Sequence, residues 1–344
     1  MRSLLKATLT CTALASIILV LSSSIAYAQT LKIATLSPDG SVWMKKMRAG
    51  ANEISEKTQG RVKFKFYPGG VMGDDPSVLR KIRIHQLHGG ALGGGSLSSV
   101  YKDSQVYNLP LKFKTFEEVD YVRSQLDEKI IKGFEQGGFV TFGLAEGGFA
   151  YAMSKAPINT IDELPKQKIW VPDNDKASLE IIRTYDIKPI PLPYADVLTG
   201  LQTGIINTVA TSPIAAVALQ WHTQIDYITD IPLMYFYAVL AVDKKTFDKL
   251  SIEDQGIVKQ VMNAVFKDLD AINRQDNIAA FEALQNRGIK VQRPADADLR
   301  QWYSKAEEAS QRLVDTGEIS AEILQVFEKH LAEFRKNKTQ SSKR

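Results

Sequence analysis

Two kinds of hydrophobic periodicity stand side by side near the start of the chain. In RVKFKFYP (61–68), apolar residues alternate with lysines, which predicts a strand with one buried face. Before it, apolar or small residues recur at spacings of four, three and four between Trp43 and Ile54, which predicts a helix starting at Ser41. LKIAT (31–35) reads as an earlier strand. Strand, helix and strand in this order predict a βαβ unit, and therefore an α/β fold with a mainly parallel sheet.

The alternation of strand-like and helix-like segments continues to the C-terminus. A second set of short strands and helices follows between residues 161 and 213, and the apolar run over residues 231–247 predicts one long buried strand. The helical pattern over 253–288 is longer than the usual ~8–20 residues, and two more helices are predicted over 295–317 and 321–334. A chain of 344 residues accommodates two domains of roughly 100–200 residues each.

The N-terminus is typical of a secretory signal peptide. Two basic residues precede an apolar run from Leu14 to Leu21, and small residues in an A-x-A pattern end at Ala28. The run is shorter than the roughly 20 residues that span a membrane. We therefore expect residues 1–28 to be cleaved near Ala28 and the protein to be periplasmic. The single cysteine, Cys11, lies inside this segment, so no disulfide, thiolate ligand or cysteine nucleophile is expected in the mature chain.

The remaining composition excludes several classes of function. The formal net charge is only +4, and the predicted signal peptide holds two basic and no acidic residues, so the mature chain is near neutral, which argues against a nucleic-acid binder. GGALGGGS (89–96) lacks the G-K-[ST] of a phosphate loop and favours close approach of the backbone to a ligand or a strand. There is no G-x-S-x-G motif. His85 and His88 have no third ligand nearby, so we predict no catalytic residues, no metal and no cofactor. An exported α/β protein without these motifs is expected to bind a ligand rather than to catalyse a reaction.

Six segments, in order along the chain, point to one family. They are LKIATLSPDGSVWMKKM, TQGRVKFKFYPGGVMGDD, YNLPLKF, APINTIDELPKQKIWVP, IKPIPLPYADVLTGLQTGIINT and AVDKKTFDKLS. Together they resemble the DctP-type solute-binding proteins of TRAP transporters, and the resemblance covers residues 31–335.

The resemblance implies a two-domain periplasmic-binding-protein fold of the α/β class, with hinge strands, a ligand cleft between the domains and a long C-terminal helix. Such a protein closes on a small organic solute and delivers it to small and large membrane subunits that use an ion gradient. The implied domain I comprises residues 29–150 plus about 240–290, and domain II comprises 151–239. Residues 291–344 would form C-terminal helices across both domains and a basic tail. A monomer is expected, with a dimer as the alternative.

The chain departs from the family at the positions that usually bind the charged group of the ligand. The family commonly has K-I-R-V-P, whose Arg grips a carboxylate with two parallel hydrogen bonds, where this chain has Trp170. No arginine occurs between Gly133 and Ile182, so the frequent second Arg is missing as well, and the usual Asn-Pro reads Ser212-Pro213. We therefore expect Trp170 to line the cleft and stack on a ligand of reduced or distributed charge. The alternatives are that Trp170 is a core residue, and that a lysine or backbone N–H groups hold a simple organic acid.

The resemblance also suggests further ligand-binding positions. With Trp170, the candidates are Ser37, Asp39, Trp43, Gly95, Ser96, Tyr194, Asp196, Thr211, Ser212, Tyr235 and Tyr237. Trp43, Tyr235 and Tyr237 fit a core position equally well by their spacing. The rival functions are a binding protein for another importer or a sensory receptor, and an exported α/β hydrolase, which would need a nucleophile and a base within hydrogen-bond reach.

Overall fold

The computed structural model of the protein describes residues 28–173 and 175–341. Except for Ala28, the predicted signal peptide, with Cys11, lies outside the described residues. The strands are β1 (Gln29–Thr35), β2 (Val62–Tyr67), β3 (Gly89–Gly93), β4 (Phe139–Thr141), β5 (Ala145–Ser154), β6 (Trp170–Pro172), β7 (Ile190–Leu192), β8 (Thr208–Thr211), β9 (Tyr227–Asp243) and β10 (Lys290–Gln292). The α-helices are α1 (Val42–Lys57), α2 (Asp75–Arg83), α3 (Phe116–Gln136), α4 (Lys176–Arg183), α5 (Val197–Thr203), α6 (Pro213–Ala218), α7 (Lys244–Phe247), α8 (Ile252–Asn286), α9 (Asp296–Asp315) and α10 (Ala321–Ser341). Short 3-10 helices cover Gly95–Leu97, Lys102–Asn108, Ile161–Lys166, Tyr194–Asp196 and Trp221–Gln224.

The main sheet is mixed rather than mainly parallel. Its strand order is β2-β1-β3-β9-β5-β8, with β4 and β10 also paired to β9, while β6 and β7 form a separate parallel pair. β1 is parallel to β2 and β3, as the βαβ prediction requires. The expectation fails at β9, which runs antiparallel to β3, β4 and β5, and at β8, which is antiparallel to β5. A single strand of 17 residues, β9, pairs with β3, β4 and β5 and runs opposite to all three, so its direction makes most of the sheet mixed.

The predicted helix α1 is confirmed, with Ser41 as its N-cap. The Ser41 hydroxyl accepts a hydrogen bond from the Met44 N–H at 3.2 Å, which satisfies one of the free donors of the first turn. The buried face includes Met47 and Ile54, which pack with β1 and the first half of α8. A Cβ added at Gly50 would lie 2.6 Å from the Val265 side chain, so the glycine lets the two helices approach closely.

The glycine-rich segment forms a strand at the centre of the sheet, and it approaches a neighbouring strand as closely as its glycines predict. β3 lies between β1 and β9. A Cβ at Gly89 would lie 2.5 Å from the Ala241 carbonyl oxygen, and a Cβ at Gly94 would lie 2.0 Å from the Tyr237 ring. The glycines therefore allow a close approach of two backbones and one aromatic ring.

Buried side chains gather into two regions. The N-terminal core packs around β1 to β4, α1 to α3 and the first half of α8; the central core packs around β6 to β8 and α4 to α6. The 35-residue helix α8 contacts both, since Met262 lies in the N-terminal core and Leu284 in the central core. The C-terminal helices divide in the same way: Trp302 of α9 packs in the central core and Phe327 of α10 in the N-terminal core.

A buried arginine fixes the point where β5 leaves the N-terminal core. Arg123 of α3 is 7% exposed. Its guanidinium donates to the Leu144 carbonyl and to Asp270 of α8, each at 2.8 Å, and to the Tyr235 hydroxyl at 3.0 Å. It also pairs with Asp127. One side chain therefore ties α3, β9, α8 and the residue before β5 together.

Candidate functional site

The two cores meet at α4, whose Ala177 belongs to a cluster of the N-terminal core while Ile182 packs in the central core. Ala177 of α4 is buried in the same cluster as Val78 and Leu79 of α2. The charge of Asp75, at the start of α2, acts on Tyr194, which precedes α5 in the other core. Burial raises the pKa of Tyr194, and the negative charges of Asp75 and Asp175 raise it further. A carboxylate of one core therefore influences the ionisation of a tyrosine of the other core.

Asp75 is the most unusual polar group of the junction. It is only 6% exposed. One carboxylate oxygen accepts from the Gly93 N–H at 3.0 Å, and the Ser96 hydroxyl also donates to the carboxylate. Burial raises the pKa of Asp75 to about 6, against the lowering effect of these two hydrogen bonds. A buried carboxylate held in this way can accept a hydrogen bond or an ion pair from a bound solute.

Asp75 is not among the positions predicted from the sequence, although the chain carries a signal for it. Asp75, Val78, Leu79 and Ile82 have the i, i+3, i+4 and i+7 spacing of one helix face, and the structure buries all four. An acidic residue on an apolar face is rarely buried unless it is paired. That pattern in the sequence is enough to mark Asp75 as a candidate.

Trp170 stands at the centre of an aromatic cluster with Tyr194 and Trp221. Its ring centroid lies 5.0 Å from that of Tyr194 and 5.2 Å from that of Trp221, with interplanar angles of 77° and 74°. Tyr194 and Trp221 stack at 6.2 Å. Trp170 is 4% exposed and its indole N–H donates to the Leu192 carbonyl oxygen at 2.9 Å. Trp170 is therefore buried and packs against the partly exposed Tyr194. Trp221, which was not predicted from the sequence, packs against both rings.

Gly95 and Ser96 lie in the turn after β3, next to Asp75. A Cβ at Gly95 would lie 3.2 Å from the side-chain oxygen of Asn108. Asn108 donates to the Tyr235 carbonyl oxygen at 3.1 Å, while its own side-chain oxygen is buried without a hydrogen bond from the described residues. Asn108 is thus a second polar group at this turn that was missed from the sequence.

Thr211 and Ser212 lie where β8 ends and α6 begins. They are 6% and 4% exposed. Ser212 is the N-cap residue of α6, yet its side chain forms no capping hydrogen bond. The N–H of Ile214 instead donates to the Asn277 side-chain oxygen at 3.3 Å. The loop therefore sits between the central core and α8.

The other predicted positions are placed as follows. Ser37 is partly buried, and its N–H donates to the Thr35 hydroxyl at 3.1 Å in the turn after β1. Asp39 is exposed and pairs with Arg48 at 2.9 Å. Asp196 is exposed at the start of α5. No contact between these three residues and Asp75 or Tyr194 is seen within the described part of the chain.

Three aromatic candidates have contacts in the N-terminal core. The Trp43 ring packs edge-on against Phe266 at 5.5 Å, and its indole N–H is buried without a partner among the described residues. Tyr235 is fully buried against Arg123. Tyr237 is 3% exposed, and its hydroxyl donates to the Ser104 carbonyl oxygen at 2.7 Å.

Comparison with known proteins places the chain in a family. Residues 33–316 match the model of DctP, the bacterial extracellular solute-binding protein, family 7. The chain belongs to this family. The resemblance predicted from the six segments, and with it the role of a solute-binding protein of a TRAP transporter, is confirmed at the level of the family.

Individual relatives of the chain are distant. YiiZ of Salmonella typhimurium is 26% identical over 62% of this chain and 65% of its own length. The sialic acid-binding periplasmic protein SiaP of Vibrio cholerae is 23% identical over 71% of this chain and 76% of its own. The sugar acid binding protein DctPAm of Advenella mimigardefordensis, solved with galactonate, is 18% identical with a TM-score of 0.81, over 89% of this chain and 99% of that one. The structural match confirms the predicted two-domain fold.

Within residues 28–173 and 175–341, no group of three or more His, Cys, Asp or Glu side chains is arranged to hold a metal ion. No helix in the same ranges combines the length and the apolar character that a membrane span needs.

Proposed function

We propose that this protein is exported to the periplasm by residues 1–28, captures one small organic solute between its two domains and hands it to the small and large subunits of a TRAP transporter. It acts as a monomer and catalyses no reaction. Domain I comprises residues 29–150 plus about 240–290, domain II comprises 151–239, and residues 291–344 brace both. The observation that carries the proposal is the match of residues 33–316 to a solute-binding family, in a chain whose two cores are joined by β5 and α8.

The proposed site combines hydrogen-bonding groups on one side with an aromatic surface on the other. Domain I contributes Gly95 and Ser96 beside Asp75, with Ser37 at the end of β1. Domain II contributes Tyr194, supported by Trp170 and Trp221, and the hydroxyl groups of Thr211 and Ser212. Closure of the two sides over a solute excludes water, which strengthens each polar contact.

The solute class follows from what stands at the position of the usual arginine. SiaP and DctPAm are named for acids, sialic acid and galactonate. Trp170 cannot form a bidentate ion pair with a carboxylate. The site therefore suits a zwitterion, an aromatic or amphipathic acid, or a neutral solute better than a small dicarboxylate.

A thermal-shift screen of refolded, ligand-stripped protein tests the proposal. The library contains mono- and dicarboxylates, sugar acids, aromatic acids, zwitterions and neutral solutes. A solute present at a hundred times its Kd adds about 2.7 kcal/mol of stability, which raises the Tm of a protein of this size by several degrees. Tyr194→Ala should abolish the shift. Tyr121→Ala, at a partly exposed tyrosine of α3, is the matched control and should retain it.

If no solute of any class stabilises the protein, the proposed function is refuted. The choice of transporter is tested separately by the neighbouring genes. Genes for small and large TRAP subunits beside this one support the proposal, whereas a gene for a transport ATPase in their place would favour an ATP-driven importer.

A further inference from the structure

An apolar cavity of about 100 Å³ lies in the central core, between α4, α9 and the strands β8 and β9. None of the described residues in its wall is charged. The wall includes Leu111, Ile169, Ile182, Tyr185, Leu233 and Trp302. A cavity of about 150 Å³ with similar walls stays dry and binds benzene or xenon. The space in this protein is on the same scale and suits a small ring.

The cavity is distinct from the candidate solute site. Ile169 and Trp170 are consecutive residues of an extended segment, so their side chains point to opposite faces. Ile169 lies in the cavity wall, whereas Trp170 packs against Tyr194 and Trp221. None of the ligand-binding positions predicted from the sequence lines the cavity. A molecule bound here would therefore not be the solute held between the two domains.

Trp302 brings an unused hydrogen-bond donor to this wall. The residue is 2% exposed, and its indole Nε1 has no partner among the described residues. The hydroxyl of Thr208, another residue of the wall, already donates to the Asn207 side-chain oxygen at 3.0 Å. The hydroxyl of Tyr185, whose ring lies 6.3 Å from that of Trp302, is not sealed off without a partner in this way. The indole N–H is therefore the side-chain donor of the wall that needs an acceptor.

A water molecule is a poor partner for this N–H. A buried water typically forms about three hydrogen bonds, and the residues of the wall present it with carbon on nearly every side. An N–H that is buried without an acceptor loses the hydrogen bond that it makes to water in the unfolded chain. A bound molecule with one acceptor and an apolar body would satisfy the donor and fill the empty volume.

We propose that this cavity is a second ligand-binding site, which takes a small uncharged molecule with an apolar body and a single hydrogen-bond acceptor. The acceptor, such as the oxygen of a ketone or a cyclic ether, binds the indole N–H of Trp302. The apolar body packs against Leu111, Ile169 and Leu233. A charged molecule is excluded, because no described side chain in the wall compensates its charge. The proposal does not depend on the identity of the transported solute.

Pairs of ring compounds that differ only in the acceptor test this proposal. Tetrahydrofuran is compared with cyclopentane, and cyclopentanone with methylenecyclopentane. Each compound is titrated into the full mature protein labelled with ¹⁵N. The chain has four tryptophans, so the spectrum holds four indole N–H signals, and Trp302→Phe identifies the Trp302 signal by its loss. The oxygen compounds should move this signal downfield, and their carbon counterparts should not.

Affinities in the wild type and in Trp302→Phe show whether the indole N–H contributes to binding. Comparing the two proteins cancels the different free energies of removing the compounds from water. Trp302→Phe should weaken binding of each oxygen compound by about three- to tenfold relative to its carbon counterpart, as measured from backbone amide signals. Trp43→Phe is the matched control, because Trp43 also has a buried indole N–H without a described partner and does not line this cavity. It should leave both affinities unchanged.

Three results would overturn the proposal: a Trp302 signal that no compound moves, a signal that oxygen and carbon compounds move alike, or Trp302→Phe that weakens both members of a pair equally. If Trp302→Phe does not fold, the titration of the wild type decides alone. In each case the proposed function stands, because it concerns the solute between the two domains and is tested with Tyr194→Ala. Failure of the solute screen would in turn leave the cavity titration unaffected.

Discussion

The carboxyl group of Asp75 makes the stability of the ligand-free protein depend on pH in the opposite direction to most acidic residues. Burial raises its pKa from 3.8 to about 6. At about 1.36 kcal/mol per pKa unit, the shift corresponds to roughly 3 kcal/mol in favour of the protonated form. The folded state therefore holds this proton more tightly than the unfolded state. The resulting stabilisation is complete below about pH 4 and is lost as the pH rises through about 6.

Asp75→Asn removes this titration and keeps a side-chain oxygen that can accept from the Gly93 N–H. The free energy of unfolding of the wild type, minus that of the variant, should fall by up to roughly 3 kcal/mol between pH 4 and pH 7. Urea unfolding at a series of pH values and constant ionic strength gives this difference directly. Subtracting the variant cancels the contributions of the other titrating groups.

The same measurement on Asp74→Asn shows whether the effect belongs to the buried carboxylate. Asp74 caps α2, and its side-chain oxygen accepts from the Ser77 N–H at 3.0 Å. A fall of the same size for Asp74→Asn would show that the effect does not belong to the buried carboxylate. A flat or rising curve for Asp75→Asn refutes the reasoning, because Asp75 would then be hydrated or paired with a cation in the folded protein.

Two further predictions concern the framework around the site. Arg123→Met should destabilise the protein by about 2–3 kcal/mol in urea unfolding, because it leaves the partly buried carboxylates of Asp127 and Asp270 without their cation and the Leu144 carbonyl without its donor. Lys129→Ala, which removes an exposed ion pair of the same helix, should cost less than about 1 kcal/mol, and equal effects would show that the Arg123 cluster is hydrated. Gly94→Ala should lower the Tm because the new methyl group collides with the Tyr237 ring, whereas Gly256→Ala, at an exposed position of α8 with no atom within 4 Å, should raise stability by about 0.5–1 kcal/mol. An unchanged Tm for Gly94→Ala would contradict the close packing of the backbone directly after β3 against that ring.

Local periodicity is enough to predict most of the elements, and it does not predict how the strands pair. The alternation in RVKFKFYP and the cap at Ser41 are properties of neighbouring residues, and β2 and α1 form as predicted. The direction in which β9 pairs with β3 and β5 depends on residues far apart in the chain, so the mixed sheet does not follow from local patterns. The glycines around β3 predict a close approach but not its partner, because the backbone and the ring that require them come from β9.

The residues of the candidate site also include some that can be predicted from the sequence and some that cannot. Resemblance points to Gly95, Ser96 and Tyr194. The structure places Gly95 beside Asn108 and Ser96 near Asp75, whereas Tyr194 packs against Trp170 and Trp221. Resemblance also points to Trp170 as a surface for the ligand, but its partners Trp221 and Leu192 are distant in sequence or on another strand, and only the structure shows how completely they cover it. Asp75 can be predicted from the sequence pattern alone, because it is an acidic residue on the apolar face of α2. The family resemblance does not point to it.

The size of the electrostatic effect shows why one site cannot serve both signs of charge. Two unit charges about 4 Å apart interact by roughly 4 kcal/mol at the effective dielectric constant of about 20 that describes sites near a protein surface. A solute carboxylate placed against ionised Asp75 would be repelled by that amount, which corresponds to almost three orders of magnitude in Kd, and an ammonium group would be attracted by the same amount. Replacing an arginine with Trp170 removes the attraction for an anion, and the unpaired Asp75 adds a repulsion. Both departures therefore select against an anion wherever the solute contacts these two residues.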